Sequence, residues 1–457
     1  MSATILAALA LCVTPAEATR AALADCQALD AKWRGQSRWL VAETPEQQIA
    51  VNYLLNAISR TRVIRSAKVV NGQPNGKALL RVDLAAYINP RDAGSYNAIH
   101  SAWERLVEGD PYFHLRTEVA VAGTKAPKTV TIDGGWVGLE AAAALRAATG
   151  SAGAVLRADY FIARVAAEDY YLWSGLPEKQ GDFFNGLGVD KAVIERLASD
   201  TAANLFRSNI THKPRRVVRL PSPQGSVWIT LDVDGESPDR DPIRNPVDVA
   251  GPAGKQRFNF QASEIFYTRA NGFWGVALYD AKGDRQATVP DKVAKDSESQ
   301  DGIVQPIISC VRCHELHGKA GLQDFKDDQH PLISGEAAIL KSYLPEVAAR
   351  VGELYDPARL NREIERDRED YDSAVQKACR CDTTQAARAL AGAFARYAFD
   401  GVSLETASQE CGVSPSDFSK QTASSTDPIT LALRSGKRVT RKAFEASYQD
   451  IMLRVGK

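Results

Sequence analysis

The stretch Ser309-Cys310-Val311-Arg312-Cys313-His314 decides how the rest of the chain is read. Cys310 and Cys313 are three residues apart, so on a helical turn both sulfurs leave one face and can add to the two vinyl groups of one porphyrin. His314 follows at once, placed to bring an imidazole nitrogen under the iron. The spacing predicts one covalently attached haem c, with His314 as the proximal ligand. Two core cysteines beside an unrelated histidine would be a coincidence that 7 Cys and 6 His rarely produce. Zinc is the better rival, but a structural zinc site asks for a second ligand pair at similar spacing, and none follows.

Outward from the motif, length and composition set bounds. With 457 residues, the chain is too long for one small cytochrome and implies two or three domains. Hydrophobic content of 44% and charged content of 25% give ample material for a core. The formal net charge is zero, which argues against a global nucleic-acid or membrane-surface role. No apolar run approaches the roughly 20 residues that span a bilayer. At the N-terminus, Ala3 to Val13 is apolar, and Ala16-Glu17-Ala18 fits a signal-peptidase site, although no Lys or Arg precedes the run. A lipoprotein reading through Cys12 is poorer, because Leu11 is large where a small residue is expected. Covalent haem attachment in bacteria takes place outside the cytoplasmic membrane, so the motif also points to export and a periplasmic location.

The expected class is α+β, divided into a signal peptide at 1–18, a mixed domain at 19–150, a β-rich domain at 151–295 and a helical haem region at 296–457. Thr19 to Trp33, Pro45 to Ile58, Tyr96 to Val107 and Leu139 to Ala148 have helical periodicity, and Gly186 to Leu197 resembles a helix start and short helix. Ala78 to Asp83 (ALLRVD) and Ala154 to Asp159 (AVLRAD) read as two similar buried strands. Val217 to Leu220, Val227 to Val233, and the pair flanking Asn271-Gly272 read as strands, with a further turn at Lys282-Gly283-Asp284. Asp232, Asp234 and Glu236 alternate like a calcium loop but lack the rest of the pattern, so a solvated turn is expected. Past the motif, Glu336 to Tyr355, Pro357 to Ala378, Thr384 to Phe399 and Arg438 to Leu453 are patterned as helices. The mixed charges of Arg362 to Asp370 read as a solvated helix face. Ser403 to Phe418 sounds like a DNA-reading motif but offers no basic side chains, so a packed helical hairpin is expected.

In this order, Arg38-Trp39-Leu40, LLRVDL at Leu79 to Leu84, Trp103, DPYFH, LRADYF at Leu156 to Phe161, the Asn271-Gly272 hairpin, SCVRCH, and the late helices around Leu354-Tyr355 and Ala407 to Phe418 form a series. It resembles a large family of exported bacterial proteins with one C-x-x-C-H near two-thirds of their length. The resemblance implies a haem-binding, cytochrome-c-like protein and brings no reaction or substrate.

The iron's sixth ligand decides the chemistry. His330 is the first candidate by chain proximity and His114 the second, followed by His100, His212 and Met452. His317 lies on the same side as His314. A strong distal ligand makes a single-electron carrier that needs a redox partner protein. An open position makes a peroxidase-like enzyme, or a haem-based sensor or binding module. No catalytic residue is named. Cys26, Cys379, Cys381 and Cys411 form an even set for disulfides in an oxidising compartment. The basic run Lys213-Pro214-Arg215-Arg216 with Arg219 is read as a solvated edge, with haem propionates or an acidic partner as the alternative.

Overall fold

The computed structural model describes residues 14–72, 77–88, 93–113, 116–119, 128–131, 139–189, 201–205, 215–232, 260–288, 295–296, 299–316, 345, 348–349 and 357–455. The N-terminal helices are α1 (Pro15–Gln27), α2 (Ala31–Arg34), α3 (Pro45–Ala57), α4 (Ala93–Gly109), α5 (Leu139–Thr149), α6 (Ala158–Val165), α7 (Tyr170–Ser174) and α8 (Gln180–Leu187). The motif helix is α9 (Ile308–Glu315). It is followed by α10 (Pro357–Cys379), α11 (Thr383–Ala398), α12 (Leu404–Glu410), α13 (Pro415–Gln421), α14 (Pro428–Arg434) and α15 (Arg441–Val455). Interspersed are β1 (Ser37–Ala42), β2 (Lys68–Gly72), β3 (Ala78–Asp83), β4 (Arg116–Val119), β5 (Lys128–Thr131) and β6 (Val155–Arg157). The middle strands are β7 (Thr201–Leu205), β8 (Arg215–Ser222), β9 (Gly225–Asp232), β10 (Ala262–Thr268) and β11 (Trp274–Asp280). The chain is α+β, with a mixed N-terminal half, a β-rich middle and a helical C-terminal region.

Two compact units share the chain. Unit 1 takes residues 1–52, 66–164 and 392–457; unit 2 takes 53–65 and 165–391. This partition departs from the consecutive segments expected with boundaries at 150 and 295. Contacts made far apart in sequence draw the last 66 residues to the first unit, and no local pattern announces them.

In unit 1 the sheet runs β2-β3-β1-β6. Every residue of β1 is buried, as its central place requires. It pairs antiparallel with β3 and parallel with β6, so that Leu40 faces Leu80 on one side and Leu156 on the other. The two similar hexamers thus flank one strand with opposite polarity, each burying its leucines. The second strand is shorter than expected, because α6 starts at Ala158. Helix α1 opens on a capping box: Thr14 and Glu17 bond each other's backbone N–H, and Pro15 sits at the first turn. Its Asp25 accepts from the Trp39 indole at 3.0 Å and from Arg81 at 2.8 Å, tying the helix to the sheet. Ala18, the residue before the expected cleavage point, is 1% exposed within this helix. Helices α12 and α13 pack together as the expected hairpin, with Gly412 at φ +73° allowing the turn between them.

In unit 2 the five strands form an antiparallel meander, β11-β10-β9-β8-β7. The Asn271-Gly272 turn joins β10 to β11 as expected, with Gly272 at φ +86°. Strand β11 is an edge, and two of its N–H groups donate to the hydroxyls of Tyr170 (3.0 Å) and Tyr171 (3.2 Å) on α7, which covers that edge. Three expectations fail here for one reason, buried ion pairing. Arg215, Arg216 and Arg219 on β8 are buried rather than solvated. Arg219 donates to Asp367 at 2.8 and 2.9 Å, which pulls part of the Arg362 to Asp370 run inward. Asp232 pairs with Arg215 instead of lying in a solvated turn. Helix α8 ends at Leu187, with Gly188 in the left-handed region, and most of the helix expected over Gly186 to Leu197 lies outside the described residues. Most of Glu336 to Tyr355 lies outside the described residues, as do Asp234 and Glu236.

Candidate functional site

Helix α9 begins on a strained turn. Ile307 has φ +61° and ψ −65°, and across it the Ile308 N–H donates to the Pro306 carbonyl at 2.8 Å. That is a γ-turn of the rarer hand, unfavourable for a β-branched residue by on the order of 1–3 kcal/mol. Burial of Ile307, 3% exposed, holds it in place. With no side-chain cap, the first turn is anchored from Asp296 instead. Its Oδ2 accepts from the Ser309 hydroxyl at 2.6 Å and from Arg312 at 2.9 Å. The residues flanking and separating the two cysteines therefore fasten the helix, leaving the sulfurs unengaged in that anchor.

On α9, Cys310 and His314 are four residues apart and so about 40° apart around the axis, with Cys313 beside them. Cys310 is buried, whereas Cys313 and His314 are half-buried. Phe266 of β10 meets the imidazole edge-to-face, ring centroids 4.6 Å apart. Burial pushes the Cys310 thiol well above its ordinary pKa, and the charge of Glu264 pushes the same way. A water-sized cleft of about 30 Å³ lies beside the three residues, also lined by Arg215, Glu264 and Lys295. Arg215 bonds Asp232 and, at 3.2 Å, Glu264. Burial works against its charge, but the Asp232 and Glu264 carboxylates more than offset it.

The far side of α9 carries a group that sequence reasoning missed. Oε1 of Glu315 accepts from Tyr53 at 2.8 Å and from Tyr371 at 2.7 Å, and the two phenol oxygens are 2.6 Å apart. Burial pushes the carboxyl up to about 7, against the two phenols, which pull it down. Its Oε2 is buried without a hydrogen-bond partner among the described residues, a burden that a neutral carboxyl bears more easily than a charged one. Tyr371 in turn stacks on Trp274, centroids 4.9 Å apart. The one sequence signal was an acid directly after the motif; nothing linked it to Tyr53 or Tyr371.

Of the distal candidates, His330, His114 and His212 lie outside the described residues, as does His317. His100 belongs to unit 1, its Nδ1 3.2 Å from Arg38. Burial and then the Arg38 charge lower its pKa to about 4, so it is neutral at pH 7. Met452 is buried on α15, also in unit 1. The described cysteines, Cys26, Cys379, Cys381 and Cys411 among them, are all thiols, so none of the disulfides expected for an oxidising compartment joins them.

The donor set fits haem c: two thiols three residues apart on one helical turn, followed by an imidazole on the half-exposed face. The described walls do not by themselves enclose a porphyrin. No three His, Cys, Asp or Glu side chains among the described residues are grouped to hold a metal ion. A haem site asks the protein for a single proximal ligand and does not need such convergence. No protein-family model matches the chain, and no curated protein or solved structure is significantly similar to it.

Proposed function

We propose that the chain is an exported c-type cytochrome that carries single electrons between partner proteins. The observation that carries this reading is the placement of Cys310, Cys313 and His314 on one short helix, with the imidazole half-exposed. Cys310 and Cys313 would hold the macrocycle and His314 the iron, and the bound haem would supply one-electron ferric/ferrous chemistry. Asp296 fixes the helix through Ser309 and Arg312, and Phe266 orients the imidazole ring. Cys310 is buried in the folded chain, so attachment of a haem through its sulfur would have to precede the docking of α9. No described helix is long and apolar enough to cross a membrane. For export, a cut after Ala18 would remove the capped first turn of α1, so a leader would be cut at or before Thr14.

An optical spectrum of the protein matured with haem-attachment machinery tests this, oxidised and reduced, with and without carbon monoxide. A low-spin, six-coordinate spectrum untouched by the gas is expected. Haem that stays covalently attached in a Cys310→Ala/Cys313→Ala variant would sink the attachment site. A high-spin iron that binds the gas would replace electron transfer with the peroxidase-like or sensor reading, which peroxide turnover separates.

A further inference from the structure

Unit 1 holds a second, larger cavity that the haem reading does not use. About 230 Å³ of space is bounded by the loop before α3, the β6–α6 junction, the end of α11, α12 and the start of α15. Its floor is an ion cluster. Arg157 donates to Asp159 at 3.0 and 2.6 Å and approaches Glu410 at 3.5 Å. Arg441 donates through Nη1 to both oxygens of Glu410, at 2.9 and 2.6 Å, and to the Tyr112 hydroxyl at 2.9 Å. Each guanidinium also lies over an aromatic ring, Arg157 on Tyr112 at 4.9 Å and Arg441 on Tyr397 at 4.6 Å. Two ion pairs this deeply buried add little stability over apolar packing, so their presence calls for another reason.

The hydrogen-bond pattern supplies one. Both oxygens of Asp159 accept from Arg157, and both oxygens of Glu410 accept from Arg441. The arginines are not symmetrically satisfied: neither Nη1 of Arg157 nor Nη2 of Arg441 has an acceptor among the described residues, and the Arg441 Nε is buried without one. Arg441 is only 9% exposed, so these donors face the cavity or protein rather than bulk water. Arg396, Arg438 and Asp400 also line the cavity, while Glu43 is neutralised by Lys77 at 3.2 Å. With Glu445 also accepting from Tyr397 and Tyr112 beside the cluster, what enters should bring acceptors and at most a single negative charge. A phosphate dianion would meet the Asp159 and Glu410 carboxylates and would leave most of the space empty. At roughly 20 Å³ per non-hydrogen atom the cavity takes about a dozen, and Thr44, Thr406 and Gln409 offer the walls polar groups for hydroxyls.

We propose that this cavity binds a small hydroxylated organic monocarboxylate, its carboxylate on the open edges of Arg157 and Arg441. D-Glucuronate and D-glucose are the probes, because they share a ring and differ at the carboxylate. Titration calorimetry on the full chain should show saturable one-to-one binding of glucuronate, no binding of glucose, and no displacement by equimolar inorganic phosphate. Arg441→Lys keeps the charge but removes Nη2, and should weaken binding about tenfold or more. Should that variant fail to fold, Gln409→Trp obstructs the cavity from an exposed position without touching the ion pairs, and should abolish binding. Glucuronate that fails to bind, glucose that binds as well, displacement by phosphate, or undiminished binding by Gln409→Trp would each overturn the assignment. None of these readouts depends on haem.

Discussion

The Glu315 site and the Arg157/Arg441 cluster each bury carboxyl groups, and they treat them in opposite ways. Among the described residues Glu315 bonds only to phenols, so burial wins, helped by the Asp372 charge, and the group moves towards neutrality, to about 7. Asp159 is equally buried, but the Arg157 charge beside it overcomes burial and holds the carboxylate below its ordinary range. What a buried acid does is thus decided by whether its partner brings a full charge or only a dipole. The first site is a closed interior with no full counter-charge among its hydrogen-bond partners. The second keeps ionised groups, and spare donors, beside open space.

The largest effect expected on either side of this contrast is all-or-none. Cys310→Ala/Cys313→Ala should carry no covalent haem, read as the mass of the intact chain after matured expression. Next comes the guanidinium side. Arg441→Met leaves Glu410 with only Arg157, 3.5 Å away, among the described residues and should lower unfolding stability by up to about 3–5 kcal/mol, while adding Glu410→Met should restore much of it. A single variant within 1 kcal/mol of wild type, on the order of surface substitutions, would mean the cluster is wetter than its burial indicates.

The pH behaviour sharpens the comparison further, measured by urea unfolding in the haem-free Cys310→Ala/Cys313→Ala background. Glu315 titrates higher folded than unfolded, so its protonated form is the one the fold prefers. Its contribution to stability should be greatest below the ordinary value of 4.5 and decline by up to roughly 3 kcal/mol as pH rises through about 7. Asp110, also raised to about 7 by burial, adds a slope of the same sign, so the difference between this background and Glu315→Gln isolates one group. Asp159 has the opposite sign: its contribution is present above the ordinary value of 3.8 and lost on acidification. Identical pH slopes with and without Glu315→Gln would refute the neutral-leaning carboxyl. The smallest effect is at α1, where Thr14→Ala should lose about 1 kcal/mol with the cap, and terminal sequencing of exported protein should find Thr14 retained.

Legibility followed sequence distance. The motif turn, the Asn271-Gly272 hairpin, the 23-residue α10 and the α12–α13 pair were all readable, because capping, turn chemistry and periodicity act within a few residues. Strand β1 was harder: Arg38-Trp39-Leu40 stood out without showing that its partners would be β3 and the distant β6. The arginines of β8 were misread because their acids, Asp232, Glu264 and Asp367, come from other elements. Composition describes a charged side chain, and only the fold supplies its counter-charge. The 230 Å³ cavity was invisible for the same reason, its floor being joined from Arg157 and residues 410 and 441.

That joining has a bearing on synthesis. A ribosome adding about 5–20 residues per second takes on the order of 10–50 seconds to travel from Arg157 to Glu410 and Arg441. In that interval β1, β3 and β6 are all available to pair, but Arg157 has only Asp159, two residues away, to hold its charge. A nascent chain stopped between residues 165 and 392 therefore owns every strand of the four-stranded sheet and none of the cavity wall supplied by α11, α12 and α15. Whatever the cavity binds, only a chain extended through Arg441 has all of its walls.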